Sequence, residues 1–328
     1  MSKIPALTQR LLAGGASITK EELLALLSVP DGSEDFRALM AGADTIRKRF
    51  RGDGVYLCTI LNAKAGGCSE DCAYCAQTHK NMPQTQGWID APDLSKAIDE
   101  SREQRASCLG LVAAWRGLHP GKTLDAVCDS FQALKSKACD GHASLGLLPS
   151  VQVAKRLAQA GATVYHHNLE TSASFYPQIC TTHTYAQRLE TIAYARQAGM
   201  KICSGGIFGL GESIQQRAEF LMELAALVPE SVPLNFFNPV PGSALAHRSP
   251  LPPGEALAAL ATARFALPKQ RIMLCGGKEV TLGKRLSDAL DAGCDGLMVG
   301  NYLTSPGTSS EWWQTEIHKR GRTLTTAF

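Results

Sequence analysis

The tightest constraint on this chain lies at residues 66–76, Gly-Gly-Cys-Ser-Glu-Asp-Cys-Ala-Tyr-Cys-Ala, where Cys68, Cys72 and Cys75 are spaced C-x3-C-x2-C. Three thiols that close together, on a loop entered through two glycines, can converge on one metal cluster. Cysteine thiolates are the usual ligands of iron–sulfur clusters. A four-iron cube held by three cysteines keeps one iron open to a substrate or cofactor. A structural zinc site would instead close itself with four ligands. Here no Cys or His follows until His79, past the loop. Tyr74, between the last two cysteines, completes the pattern.

The chain has 328 residues, enough for one large barrel or two ordinary domains. Its composition, 45% hydrophobic and 19% charged, suits a globular enzyme with a large core. A net charge of +3 is too small to argue for nucleic acid or an anionic membrane as partner. No run reaches the length of a membrane span, and residues 1–22 lack the pattern of a signal peptide. Eleven cysteines, an odd number in a long chain, fit a reducing cytoplasm in which several thiols serve as metal ligands. Oxygen sensitivity is expected for the same reason.

Residues 1–50 read as a helical extension. Thr19 and Glu22 form a capping box, and Leu23, Leu24, Leu26 and Leu27 supply an apolar face. Pro30-Asp31-Gly32 breaks that helix, and a second is expected over 35–49, with Arg47, Lys48 and Arg49 at its C-terminal end. Beyond it, β-rich runs fall at 55–60, 108–114, 142–147, 163–168, 201–206, 231–237, 272–275 and 296–299. Helical patterns closed by glycine lie between most of them: 153–160 before Gly161, 185–198 before Gly199, 282–292 before Gly293. Strand and helix in eightfold alternation predict an α/β fold, a (βα)8 TIM-type barrel over 51–305 with an N-terminal helical extension over 1–50 and a C-terminal tail over 306–328. The cysteine loop follows the first strand, at the strand ends where such barrels carry their working residues.

The loop has the signature of the radical S-adenosylmethionine superfamily, and further motifs narrow the likeness. Leu61-Asn62-Ala63-Lys64 leads into the loop and Ala76-Gln77 leaves it. His167-Asn168-Leu169-Glu170-Thr171-Ser172 follows the fourth strand, and Thr181-Thr182-His183-Thr184-Tyr185 precedes Gln187-Arg188-Leu189-Glu190-Thr191. Then come Cys203-Ser204-Gly205-Gly206-Ile207, Gly209-Leu210-Gly211-Glu212-Ser213 and Pro229-Glu230-Ser231-Val232-Pro233-Leu234-Asn235. Together, from about residue 20 to residue 305, these resemble the biotin synthase family. The resemblance implies sulfur insertion into dethiobiotin. A [4Fe–4S] cluster on Cys68, Cys72 and Cys75 would bind S-adenosylmethionine through its open iron and cleave it to a 5′-deoxyadenosyl radical. A second cluster deeper in the barrel would donate the sulfur. It further implies cofactor contacts from Tyr74, Asn168, Glu170 and Arg188, with Arg188 on the methionine carboxylate. Family members commonly carry Asp where Glu170 stands. Asn168 and Asn235 would contact the substrate. A flavodoxin or ferredoxin as electron donor and a homodimer are implied too.

The second cluster departs from the family pattern, which holds two irons on three cysteines and one arginine. Cys203 matches one of those cysteines. Cys108 matches another if a two-residue gap is allowed, the ungapped position being Gly110. The third falls on His142, an imidazole able to ligate iron as in Rieske centres, with Cys139 in reserve. Met273 stands where the arginine should, and Cys275 lies two residues on, on the same strand face. A four-iron, sulfur-rich cluster on Cys108, Cys203, Cys275 and His142 is therefore expected in place of a two-iron one. Cys58, Cys128, Cys180 and Cys294 read as ordinary core or surface cysteines.

Two other functions compete. A relative acting on an amino-acid-like substrate without sulfur insertion would need no sulfur donor, which Cys203, Cys275 and the Asn235 motif argue against. A non-catalytic iron–sulfur carrier or scaffold would saturate its cluster with protein ligands.

Overall fold

The structure, a computed structural model, describes residues 3–303 and 306–328. Three helices open the chain: α1 (Ile4–Leu12), α2 (Lys20–Leu27) and α3 (Glu34–Arg51). Strand and helix then alternate as β1 (Gly54–Lys64), α4 (Ala91–Glu103), β2 (Cys108–Ala113), α5 (Lys122–Ser136), β3 (Gly141–Ser144), α6 (Val151–Ala160), β4 (Ala162–His166) and α7 (Tyr185–Gln197). There follow β5 (Lys201–Cys203), β6 (Gly206–Phe208), α8 (Ile214–Leu227), β7 (Ser231–Phe236), α9 (Pro253–Ala266), β8 (Arg271–Leu274), α10 (Lys278–Leu282) and β9 (Gly296–Met298). The chain ends in α11 (Ser310–Lys319) and β10 (Thr323–Thr325).

All pairings are parallel, and β9 returns to β1, so the sheet closes. β5 and β6 both pair with β7 and form two halves of one stave, which gives the expected eight-stave TIM-type barrel. The run at 201–206, expected as one strand, is broken because the loop after β4 inserts there. Leu169 and Glu170 donate N–H groups to the Gly205 carbonyl, and Ile207 donates to the Glu170 carbonyl. A side chain at Gly206 would start 2.3 Å from that carbonyl oxygen, so only glycine admits the crossing. The helix expected over 282–292 is also divided. α10 stops at Leu282, where Gly283 takes φ +50°, ψ −120°, and 3-10 turns continue over Gly283–Leu290.

The N-terminal helices pack on the outside of the barrel, α2 against α8 and α9, and α3 against α9. α2 begins on the expected capping box, Thr19 and Glu22 each bonding the other's backbone N–H. No helix of the described residues is long and apolar enough to cross a membrane.

Alternation along the strands separates two interiors. In β1, Val55, Leu57 and Ala63 face the helices and join the large outer core, while Tyr56, Cys58 and Ile60 face the lumen with Cys108, Met273, Cys275 and Met298. Each fully buried aliphatic side chain in the outer layer contributes roughly 1.5–3 kcal/mol. That layer holds the fold and leaves the lumen free for chemistry.

The segment expected as a C-terminal tail is built into the barrel; its expected start follows Ser305, which lies outside the described residues. β10 pairs with the first residues of β1, Gly54 opposite Thr323. The Phe328 ring then sits across the lower mouth, 5.5 Å from Tyr56 and 5.2 Å from His142 between ring centres. Lys201 and Arg271 place their cations over the same ring.

Candidate active site

The cysteine loop leaves the C-terminal end of β1 and is fastened on all sides. Gly66, at φ +67°, passes so close to residue 84 that a Cβ would start 2.0 Å from the Gln84 carbonyl oxygen. Cys68 N–H donates to Gln77 (3.1 Å) and Ala73 N–H to Ile179 (2.9 Å). The buried Glu70 carboxylate accepts from Thr182 Oγ1 (2.7 Å), Arg116 (3.3 Å) and the His183 imidazole. Asp71 accepts the N–H groups of Thr181 (3.0 Å) and Thr182 (3.3 Å). Burial pushes the Asp71 carboxyl up, but the bonds from Thr181 and Thr182 outweigh it and hold the group well below the usual carboxylate range. Two acidic side chains between the cysteines thus anchor the loop to the segment before α7. His79 is exposed, and its backbone N–H donates to the Cys68 carbonyl (2.7 Å).

Cys68, Cys72 and Cys75 all border one cavity of about 430 Å³ at the top of the barrel. Burial raises the Cys68 and Cys75 thiols, and a hydrogen bond to Cys180 raises Cys72, so all three are neutral when free and release protons on ligation. Three soft donors on one void fit an iron–sulfur cluster. Cys180 is closer to this centre than the sequence indicated. Its Sγ lies 3.8 Å from that of Cys72 and 3.3 Å from His183 Nδ1. It is packed among Phe175, Tyr176 and Ile179, outside the cavity lining, so it backs Cys72.

One wall carries Tyr74, Asn168, Glu170 and Arg188. Arg188 is no surface charge: it is 6% exposed, donates from Nε to the Tyr176 hydroxyl (2.7 Å) and from Nη1 to the Asn168 carbonyl (2.9 Å), and lies 3.5 Å from Glu170. Burial opposes its charge, but Tyr74, Glu170 and Tyr176 more than restore it. Glu170 holds φ +70°, a conformation that costs a non-glycine residue roughly 1–3 kcal/mol and is fixed here by the strand crossing at Gly206. Asn168 accepts from Gly205 N–H (3.1 Å), pairs with His166 (2.9 Å) and donates to Glu170 (3.3 Å). Across the cavity, Asn235 ties three strand ends together. It donates to the Gly206 carbonyl (3.1 Å) and accepts from Gly276 N–H (2.8 Å).

Cys275 belongs to the cavity lining, while Cys108, Cys203 and His142 lie outside it, deeper in the lumen. Cys58, expected as an ordinary core or surface cysteine, lies in the lumen beside them. It stands opposite Cys108 in the β1–β2 register, with the two Sγ atoms 3.1 Å apart. The donor atoms of Cys58, Cys108 and His142 all lie within 4.8 Å of one another. Burial pushes the Cys108 thiol up, yet Cys58, His142 and Tyr56 together pull it down to about 5. Burial likewise opposes a charge on His142, but Cys108 and Asp140 raise it to about 9. Burial pushes the Cys275 thiol up, and Cys203 adds to that electrostatically. Met273 is buried in the lumen and offers no cation. Cys139, the reserve ligand, packs against the outer layer, as do Cys128 and Cys294.

Residues 64–224 match the Radical SAM superfamily, and residues 233–323 match the Biotin and Thiamin Synthesis associated domain. A biotin synthase of Geotalea uraniireducens is 42% identical over 315 residues, covering 95% of this chain and 94% of that protein. One from Pelobacter propionicus is 42% identical over 300 residues, 90% of each chain. Among solved structures, methylornithine synthase superposes with a TM-score of 0.84 over 97% of both chains at 17% identity, a likeness of fold alone.

Proposed function

The chain belongs to the biotin synthase family, and from that premise we infer that it inserts sulfur into dethiobiotin to give biotin. The observation that carries this reading is the arrangement of two cysteine sets along one lumen, separated by a cavity with polar groups on both walls. We assign Cys68, Cys72 and Cys75 to a [4Fe–4S] cluster that binds S-adenosylmethionine. Cys108, Cys203, Cys275 and His142 are assigned to an auxiliary iron–sulfur cluster of a four-iron, sulfur-rich type. When bound, these groups supply reductive sulfonium cleavage, hydrogen abstraction from unactivated carbon, and a sulfide for transfer.

The chain's own residues bind, orient and shelter. Arg188 has two of its five N–H groups engaged by Tyr176 and Asn168, and the remainder can grip a carboxylate in a bidentate pair. Glu170, set beside it, can accept from ribose hydroxyls. Asn235 has its plane fixed by two backbone bonds and keeps one N–H and one oxygen lone pair for the substrate ring. Ile60, Val112, Phe236 and Met298 line the space between and exclude water. A small donor such as flavodoxin or ferredoxin, a homodimeric assembly and a cytoplasmic setting belong to the same reading.

Anaerobic reconstitution followed by iron and sulfide analysis and assay with S-adenosylmethionine, a reductant and dethiobiotin tests it. Both 5′-deoxyadenosine and biotin are expected. Fully loaded protein that forms neither would end the reading.

A further inference from the structure

We propose that Cys58 is a protein ligand of the auxiliary cluster, so that four thiols and one imidazole, from five different staves, enclose it. The proposal rests on the reading of the lumen as a second cluster site. It is carried by placement. Cys58 lies on the lumen face of β1, in line with Tyr56 and Ile60 and opposite Cys108. Its Sγ is 3.1 Å from Cys108 Sγ, and the His142 imidazole closes a triangle within 4.8 Å. Paired strands run about 4.8 Å apart, so thiols in direct register can reach one iron or two neighbouring irons. Cys58 also keeps accessible surface although β2 and β9 flank it and Leu57 beside it is fully buried. That surface lies on the lumen side of the strand.

The alternative, a thiol with no role, leaves a weak donor that among the described residues bonds, besides Cys108, the neighbouring Thr59 carbonyl at 3.4 Å. On ligation each thiol passes its proton to solvent and becomes a thiolate donor. No oxidant or reductant is needed. The extra thiolate also compensates for the place where Met273 supplies no donor of its own.

The test uses the full chain, reconstituted anaerobically, with Cys58→Ala, Cys58→Ser, Cys275→Ala and, as control, Cys128→Ala. Iron and sulfide are counted and Mössbauer spectra recorded. Cys58→Ala is expected to fall from about eight irons per chain to about four, or to keep its iron with a changed auxiliary spectrum. Cys58→Ser keeps the size of the side chain and decides the matter if the alanine variant folds poorly. Its spectrum should shift as oxygen replaces sulfur. Cys128→Ala should match the parent. If both Cys58 variants match the parent in iron and spectrum while Cys275→Ala loses a cluster, Cys58 is a bystander and the auxiliary-cluster reading stands. If Cys275→Ala also keeps all its iron, that reading falls and the proposal with it. A Cys58–Cys108 disulfide found by peptide mapping of the reconstituted enzyme likewise overturns the proposal.

Discussion

The two thiol sets sit in one lumen but are built in opposite ways. The upper set comes from eight consecutive residues on a loop, and its rigidity is borrowed: Glu70 and Asp71 are held by Thr181, Thr182 and His183. The lower set takes one ligand from each of several staves, and its rigidity is that of the sheet itself. A loop can adjust as a cofactor binds and leaves. A lattice of paired strands cannot, and suits a group that stays in place. The difference is what the proposed reading asks for: an open centre above that exchanges its cofactor, and an enclosed one below.

Four substitutions would break or sharpen that contrast. Cys72→Ala should have the largest effect: the upper centre is lost, and both 5′-deoxyadenosine and biotin fall to background. Normal sulfonium cleavage in this variant would sink the assignment. Cys275→Ala should remove biotin alone. The sites use different cysteines, so 5′-deoxyadenosine formation should stay within about twofold of the parent; a parallel loss would mean one coupled centre. Arg188→Lys should leave both clusters intact and weaken S-adenosylmethionine about tenfold, or ~1.4 kcal/mol, because an ammonium cannot make the bidentate pair. Equilibrium dialysis reads this, and an unchanged dissociation constant would reduce Arg188 to a wall residue. Cys128→Ala, in the outer layer, should do least: about 1 kcal/mol of stability by denaturant titration, and no change in iron. Loss of iron there would mean that the two interiors are not separate.

What could be read from the chain divides along the same line. Cys68, Cys72 and Cys75 declare themselves because the ligand spacing is local. The barrel is legible because glycine-closed helices recur between short apolar strands. Cys58 escaped notice because its partner Cys108 is 50 residues away and meets it only through strand register. Cys180 lies 108 residues from Cys72, and no spacing rule connects them. The break between β5 and β6 is imposed by the loop carrying Glu170, a tertiary event without a local mark. The residues before the end read as a tail because β10 is only three residues long and its contacts are all distant.

The Phe328 ring across the lower mouth leaves the upper cavity as the evident way into the lumen among the described residues. Phe328, flanked by Tyr56, Arg271 and Lys201, lies across the lower end, and the paired staves close round the lumen. On the proposed reading, iron and sulfide that load the lower centre would descend through the cavity that substrate and product use. Loading and turnover would then exclude one another in time, because dethiobiotin or biotin in the cavity would close the way to the lower centre. Slow product release would then delay the loading of the lower centre as well as the next turnover.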